Sequence, residues 1–263
     1  YFGEDVTLED DLSRRDFTIN AIAEDNEGNI IDPFNGQKDL DDKLFRHVSD
    51  GFYEDPLRAI RLARFHTYSH LQDFIVHDST IKSISDIVSS GEIAELSPER
   101  IWSETLKALK SNNPNIYFEK IISLNLKDPY FVNLNTPLCD SHDNHEVRWS
   151  ELQINNNFEL GDKLPIPNGY KNISDILKIV SAINVNIREE DLISILIRSN
   201  FKKNKEMVEK LVTLPHIKKN KDFILKLVNE VDDADFSFLA KTPKEQIEAE
   251  KTKIYKKIIL NCK

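Results

Sequence analysis

Glu54-Asp55-Pro56-Leu57-Arg58-Ala59-Ile60-Arg61-Leu62-Ala63-Arg64-Phe65 marks the point at which this chain turns from a mixed pattern to a helical one. Pro56 sits at a first-turn position, where its missing N–H costs nothing, and the spacing predicts a helix through Phe65. At about 100° per residue, Arg58, Arg61 and Arg64 step round an arc of roughly 120°, with Asp55 about 60° beyond Arg58. Leu57 and Phe65 fall inside that arc, Leu62 lies between Asp55 and Arg58, and Ile60 is on the far side. A helix that is apolar round its circumference is buried on more than one side, so its three arginines need partners. Those partners are either the internal acids Asp10, Asp11, Asp16 and Glu54, or a bound anion such as a nucleoside triphosphate.

Upstream, Thr7 and Asp10 form a capping-box pattern that predicts a helix over residues 8–23. That helix carries Arg14-Arg15-Asp16-Phe17-Thr18-Ile19-Asn20-Ala21. Two adjacent arginine forks suit bidentate contact with phosphate oxygens, and Asp16 can accept from a ribose hydroxyl or hold a neighbouring arginine. The alternative is a surface salt-bridge cluster on an amphipathic helix. Short strands are expected at 29–32, ahead of Pro33, and at 44–48, ahead of Gly51. Asp39-Leu40-Asp41 reads as a solvated helix start. Phe52, Tyr53 and His47 either stack on a base or belong to the core, the more common fate of such residues, and Trp102 and Trp149 read as core.

Downstream, Ser97-Pro98-Glu99-Arg100 is an N-cap followed by a first-position proline. Helices are expected at 77–89, 98–110, 115–124, 173–182, 189–198, 205–214, 222–231 and 244–260, with a long irregular connection over 129–170.

Composition narrows the classes. The chain has 263 residues, net charge −10, two cysteines and 40% hydrophobic residues. No apolar run is long enough to span a bilayer, and the first residues have neither a basic nor a greasy segment, so membrane and secretory roles are not expected and the cytoplasm is. The acidity argues against indiscriminate nucleic-acid binding, because phosphates reward Lys and Arg; any contact must be local. Residues 202–226 hold eight lysines against three acids. Lys202, Lys203, Lys218 and Lys219 are the candidate RNA contacts there, against the alternative of a solvated helical face. The chain begins at Tyr1 and its one methionine is Met207, so the numbering is expected to start inside a longer reading frame.

Taken in order, Arg14 to Ala21, Ile31-Asp32-Pro33-Phe34-Asn35-Gly36 with Asp39-Leu40, Leu44-Phe45-Arg46-His47-Val48, Glu54 to Phe65, and Ser97-Pro98-Glu99-Arg100-Ile101-Trp102-Ser103-Glu104 resemble the later motifs of class II tRNA nucleotidyltransferases and their bacterial poly(A) polymerase relatives. The resemblance covers roughly residues 5–118. It implies a mostly α chain: the remnant of an α/β nucleotidyltransferase palm over 1–50, a helical, nucleotide-selecting and RNA-binding neck over 51–125, and a helical, tRNA-binding body and tail over 126–263. It implies CCA addition to tRNA with CTP and ATP as substrates, and neither DNA nor a membrane as partner. By position, Arg15 and Asp16 would contact the nucleotide's sugar and phosphates. Asp55 and Arg58 would face the Watson–Crick edge of the base, Arg61 and Arg64 would also bind the nucleotide, and Ser97 to Arg100 would brace the selecting helix.

Two features depart from the family pattern. The Gly-rich loop and Asp-x-Asp pair that hold Mg2+ in the family have no match among seven isolated glycines and Asp39-Leu40-Asp41, so no catalytic or metal-binding residue is assigned and no catalysis is expected from this chain alone. Cys139, Asp140, His142, Asp143, His145 and Glu146 are metal-ligating types. Yet Ile154 and Asn155 stand where the phosphohydrolase His-Asp ligands of some relatives belong, so that domain, if related, is degenerate and no metal is expected. Two rival readings stay open: a poly(A) polymerase, and a non-catalytic nucleotide- or RNA-binding protein.

Overall fold

The computed structural model describes residues 7–263, so the readings made on Tyr1–Val6 lie outside the described residues. The chain is mostly helical, as expected. It divides into two compact units. One comprises the chain up to Asp140 with Glu159–Ile166; the other comprises Ser141–Phe158 with Pro167–Lys263.

The first unit opens with α1 (Leu8–Ser13), then β1 (Ala23–Glu24) antiparallel to β2 (Ile30–Ile31), and α2 (Gly36–Asp41). β3 (Leu44–Phe45) follows and runs parallel to β4 (Ile75–Val76), with α3 (Leu57–Phe65) between them in sequence. α4 (Asp78–Ser90), α5 (Pro98–Leu109) and α6 (Pro114–Ser123) complete it, and α3 packs on both α5 and α6. Its core centres on Phe17, whose ring meets Phe45, Phe52 and Phe65 edge-on with centroids 5.4, 5.8 and 5.9 Å apart. Such edge-to-face geometry sets the positive rim of one ring against the negative face of the next.

The capping box forms: Thr7 Oγ1 accepts from Asp10 N, and the Asp10 carboxylate accepts from Thr7 N, each at 3.1 Å. The helix expected over 8–23 nevertheless stops at Ser13, and Arg14 to Phe17 are not helical. Phe17 turns extended to bury its ring, bridging His47, and Thr18 N donates to Arg46 O at 2.9 Å. A short 3-10 turn at Thr18–Asn20 then brings Thr18 against Gly36, where a Cβ would stand 2.2 Å from the Thr18 carbonyl oxygen. Core burial and this close approach outweigh local helix propensity.

Two more expectations are corrected. Asp39 is buried and accepts from Thr18 Oγ1 at 2.7 Å and from Arg46, while Leu40 and Asp41 are exposed, and the triplet ends α2 rather than starting a helix. Tyr53 is exposed, its hydroxyl donating to Ser83 Oγ at 3.0 Å, whereas Phe52 is core.

The second unit holds α7 (His145–Asn155), α8 (Asn168–Ser181), α9 (Glu189–Ser199), α10 (Phe201–Leu211), α11 (Lys221–Asp233) and α12 (Lys244–Cys262). α7 packs on α8, α10 on α11, and α12 on α9 and α11, around Leu177, Leu196, Phe201, Val208, Leu227 and Ile259. α7 lies inside the stretch expected to be irregular. Asn144 caps it by accepting from Glu146 N and Val147 N at 2.9 and 3.0 Å. It buries Arg148, Ser150, Glu151 and Gln153 beside Val147, Trp149 and Leu152, and that polar content hid its periodicity. Trp102 and Trp149 are both core, as expected.

Candidate nucleotide-binding cleft

The first unit carries a cleft of about 510 Å³ lined by Arg14, Arg15, Asp16, Asn20, Asp55, Leu57, Arg58, Arg61, Phe65 and Arg100. Five guanidinium groups face two carboxylates there, so the cleft is locally cationic on a chain whose net charge is −10. Planar, permanently charged forks converging on one space suit phosphate oxygens and the edge of a base.

Asp16 anchors one wall. Only 6% exposed, its Oδ1 accepts from Phe17 N at 3.0 Å and Asn20 Nδ2 at 2.9 Å, and its Oδ2 accepts from Arg61 Nε at 2.8 Å and Nη2 at 2.7 Å. This is the non-helical turn at work: with Phe17 extended, Asp16 reaches α3 from across the cleft. Arg61 is thereby tethered yet stays partly open to the cleft. Arg15 lies outward, paired with Asp11 at 2.7 Å, and both side chains are more than half exposed.

Asp55 and Arg58 form the other wall. Asp55 Oδ1 accepts from Leu57 N at 3.2 Å, supporting the start of α3, and its Oδ2 accepts from Arg100 Nη2 at 2.7 Å. Arg58 donates from Nη1 to the Gly51 carbonyl and from Nη2 to the Arg14 carbonyl, joining two loops that border the cleft. Two of its five N–H groups are used, leaving three.

Arg64 does not line the cleft. It is buried, with its Nε on Glu104 of α5, its Nη1 on the Tyr68 hydroxyl and its guanidinium carbon 4.3 Å from the Phe65 ring centre. The helical arithmetic explains the division: each three-residue step falls about 60° short of a full turn, so Arg58 and Arg64 lie roughly 120° apart, and the cleft and α5 claim different edges of that arc. Glu104 also accepts from Lys107 Nζ at 2.7 Å. Burial alone would raise the Glu104 carboxyl, but the hydrogen bonds from Lys107 and Arg64 outweigh it and hold the group below its ordinary value. Of the internal acids weighed as partners for the three α3 arginines, Asp16 serves Arg61; Glu104 serves Arg64, and backbone carbonyls of Gly51 and Arg14 meet Arg58.

Arg100, expected only to brace the selecting helix, and Arg14, with no expected role of its own, both line the cleft. The signal for Arg100 is its place four residues before Glu104 on one face of α5, so that Glu104 reaches α3 and Arg100 the residue that leads into it.

In the second unit, Lys202 and Lys203 stand on the first turn of α10, beside a shallow cleft of about 410 Å³ lined by residues 202–207 and Lys210. Lys202 Nζ donates to the Asp232 and Ala234 carbonyls at 2.9 and 3.1 Å, at the carbonyl end of α11. Lys205 pairs with Asp232 at 2.7 Å. Lys203, Lys218 and Lys219 are exposed, the last two in a short turn ahead of α11. Among the described residues there is no group of three or more His, Cys, Asp or Glu side chains placed to hold a metal ion. No helix among them is long and apolar enough to cross a membrane.

Known proteins match both ends of the first unit. The poly A polymerase head domain matches residues 3–46, and the probable RNA- and SrmB-binding site of polymerase A matches residues 73–136. The multifunctional CCA protein of Pseudoalteromonas atlantica is 50% identical over 129 residues, 49% of this chain and 32% of that protein, so the chain spans about a third of that curated relative's length. The crystal structure of the Bacillus stearothermophilus CCA-adding enzyme in complex with CTP covers 97% of this chain and 70% of its own, with a TM-score of 0.65 and 22% identity. The Thermotoga maritima CCA-adding enzyme complexed with tRNA covers 98% of this chain and 74% of its own, with a TM-score of 0.59 and 18% identity. At those identities the two structures establish the fold, and the curated relative and the family models carry the kinship. Over the matched residues, the first unit is thus similar in sequence to the CCA-adding enzymes and poly(A) polymerases, and the chain shares the fold of the CCA-adding enzymes.

Proposed function

We propose that this chain is the nucleotide-selecting and RNA-binding part of a CCA-adding tRNA nucleotidyltransferase that uses CTP and ATP. The observation that carries the reading is the pairing of an acceptor, Asp55, with a donor, Arg58, on the wall of a cleft otherwise lined by arginines. Cytosine and adenine both present an exocyclic amino group beside an unprotonated ring nitrogen, which a carboxylate and a guanidinium complement. Uracil and guanine present a carbonyl where that amino group stands, and it faces the carboxylate unfavourably. Selection of C and A thus follows from side chains without a nucleic-acid template.

Arg61, fixed by Asp16, and Arg15, open to solvent, supply charge for the triphosphate. Arg64 acts from behind, holding α3 to α5 through Glu104. Lys203, Lys218 and Lys219 are exposed and free to meet tRNA phosphates, and Lys202 shares its charge with the end of α11. By region, the reading takes residues 1–50 as a head remnant, 51–125 as a selecting neck, and 126–263 as a tRNA-binding body and tail.

Equilibrium titration of the protein with CTP, ATP, UTP and GTP tests this reading. CTP and ATP bind about tenfold or more tightly than UTP and GTP, and Asp55→Ala erodes that ratio more than it lowers the melting temperature. Equal affinity for all four nucleotides in the unaltered protein overturns it. The poly(A) polymerase reading is favoured by the description of the matched head domain. The RNA product separates the two: additions ending after C, C and A against long A tracts.

A further inference from the structure

We propose that Arg100 is a specificity-determining positioning residue, which locks the Asp55 carboxylate in the orientation that reads an exocyclic amino group. The proposal rests on the base-selecting role of Asp55 above and extends it to a residue outside the selecting helix.

A carboxylate reads a base only if it cannot rotate to suit the wrong one. Asp55 is held at both oxygens, by Leu57 N on Oδ1 at 3.2 Å and by Arg100 Nη2 on Oδ2 at 2.7 Å. Each oxygen keeps a free lone pair, so the carboxylate is oriented and can still accept. Without Arg100, one backbone N–H remains, and the group pivots about it. Arg58 is anchored elsewhere, with one N–H of Nη1 on the Gly51 carbonyl and one of Nη2 on the Arg14 carbonyl, and its three remaining N–H groups serve the base.

Arg100 itself is placed by a rigid element. One turn further along α5, buried Glu104 grips buried Arg64 of α3. α5 therefore makes two ion pairs of opposite polarity, Arg100 with Asp55 two residues ahead of α3 and Glu104 with Arg64 within it. Sliding α5 by one turn would bring like charges together, so the register that places Arg100 at the cleft is specified against slippage. The Arg100–Asp55 pair is half-exposed, with side chains 48% and 31% accessible, a setting in which an ion pair adds little to stability. Its consequence is local: it sets the direction of one carboxylate.

The test compares the full-length protein with Arg100→Gln, Arg100→Ala and Arg100→Lys by calorimetric titration with CTP and UTP, alongside thermal melts. In Arg100→Gln and Arg100→Ala the affinity ratio of CTP to UTP falls about tenfold, while melting temperatures stay close to that of the unaltered protein. Arg100→Lys, which keeps a cation within reach of Oδ2, recovers part of the ratio. A CTP:UTP ratio unchanged in the Gln and Ala variants overturns the proposal, as does an equal loss of affinity for both nucleotides, which marks a merely structural effect. Absence of discrimination in the unaltered protein instead removes the base-selecting role of Asp55, so the two failures are told apart.

Discussion

Replacing Glu104 with Met tests how the selecting helix is held. The Glu104 side chain is 3% exposed and accepts from Arg64, itself 6% exposed, and from Lys107. Methionine approximates its volume but accepts nothing, leaving the buried Arg64 guanidinium with the Tyr68 hydroxyl and the Phe65 face. Removing one partner of a buried pair costs about 3–5 kcal/mol, because the remaining charge stays desolvated. For a unit of this size each kcal/mol is worth about 2–4 °C, so the first unit melts roughly 6–20 °C lower.

The double replacement Arg64→Met with Glu104→Met removes both charges and costs far less than the two single changes together, a coupling of about 2 kcal/mol or more. Acid weakens the effect in a defined direction. The Glu104 carboxyl is held below its ordinary 4.5 in the folded chain, so its stabilisation is present above that value and is lost as the pH falls through the lower folded value. The gap between the unaltered protein and Glu104→Met therefore narrows between pH 7 and pH about 3.5. Scanning calorimetry at both pH values measures it. A Glu104→Met melt matching that of the unaltered protein at neutral pH, or a double variant as damaged as the sum of the singles, refutes the reasoning.

Two further expectations concern the same unit. His66 is fully buried, and burial pushes its pKa down to about 4, although both ring nitrogens face carbonyl oxygens, of Leu62 at 2.9 Å and Phe74 at 3.1 Å, which favour the protonated ring. Its folded value lies below its unfolded value of 6.5, so stability falls as the pH drops from 6.5 towards about 4. The loss reaches about 3 kcal/mol; an imidazole that titrates near 6.5 by NMR counts against this. Gly36→Ala places a Cβ 2.2 Å from the Thr18 carbonyl oxygen and 2.7 Å from Ile22 Cγ1. It lowers stability by about 3 kcal/mol or more in urea denaturation. An unchanged urea midpoint shows that the turn at Thr18 can yield.

Local signals were legible because they act over a few residues. The Thr7 capping box, the Ser97-Pro98 start of α5, the two-residue strand at Ile30–Ile31 and the helix that follows Asp55 and carries Arg58 each follow from hydrogen-bonding or steric preferences of adjacent residues. What the tertiary structure alone decided is which charged group meets which. Arg61 takes Asp16 from 45 positions away, Arg64 takes Glu104 from 40, and Arg100 takes Asp55 from 45. No periodicity separates Arg61 from Arg64 in advance, since both lie on one arc of one helix. The same holds for Phe17 and Asp39. A ring claimed by a distant core ends a helix that its neighbours would have continued, and an aspartate that reads as solvated is buried because Thr18 and Arg46 converge on it. Sequence spacing encodes directions around a helix axis, whereas the partner found in that direction depends on how the elements pack.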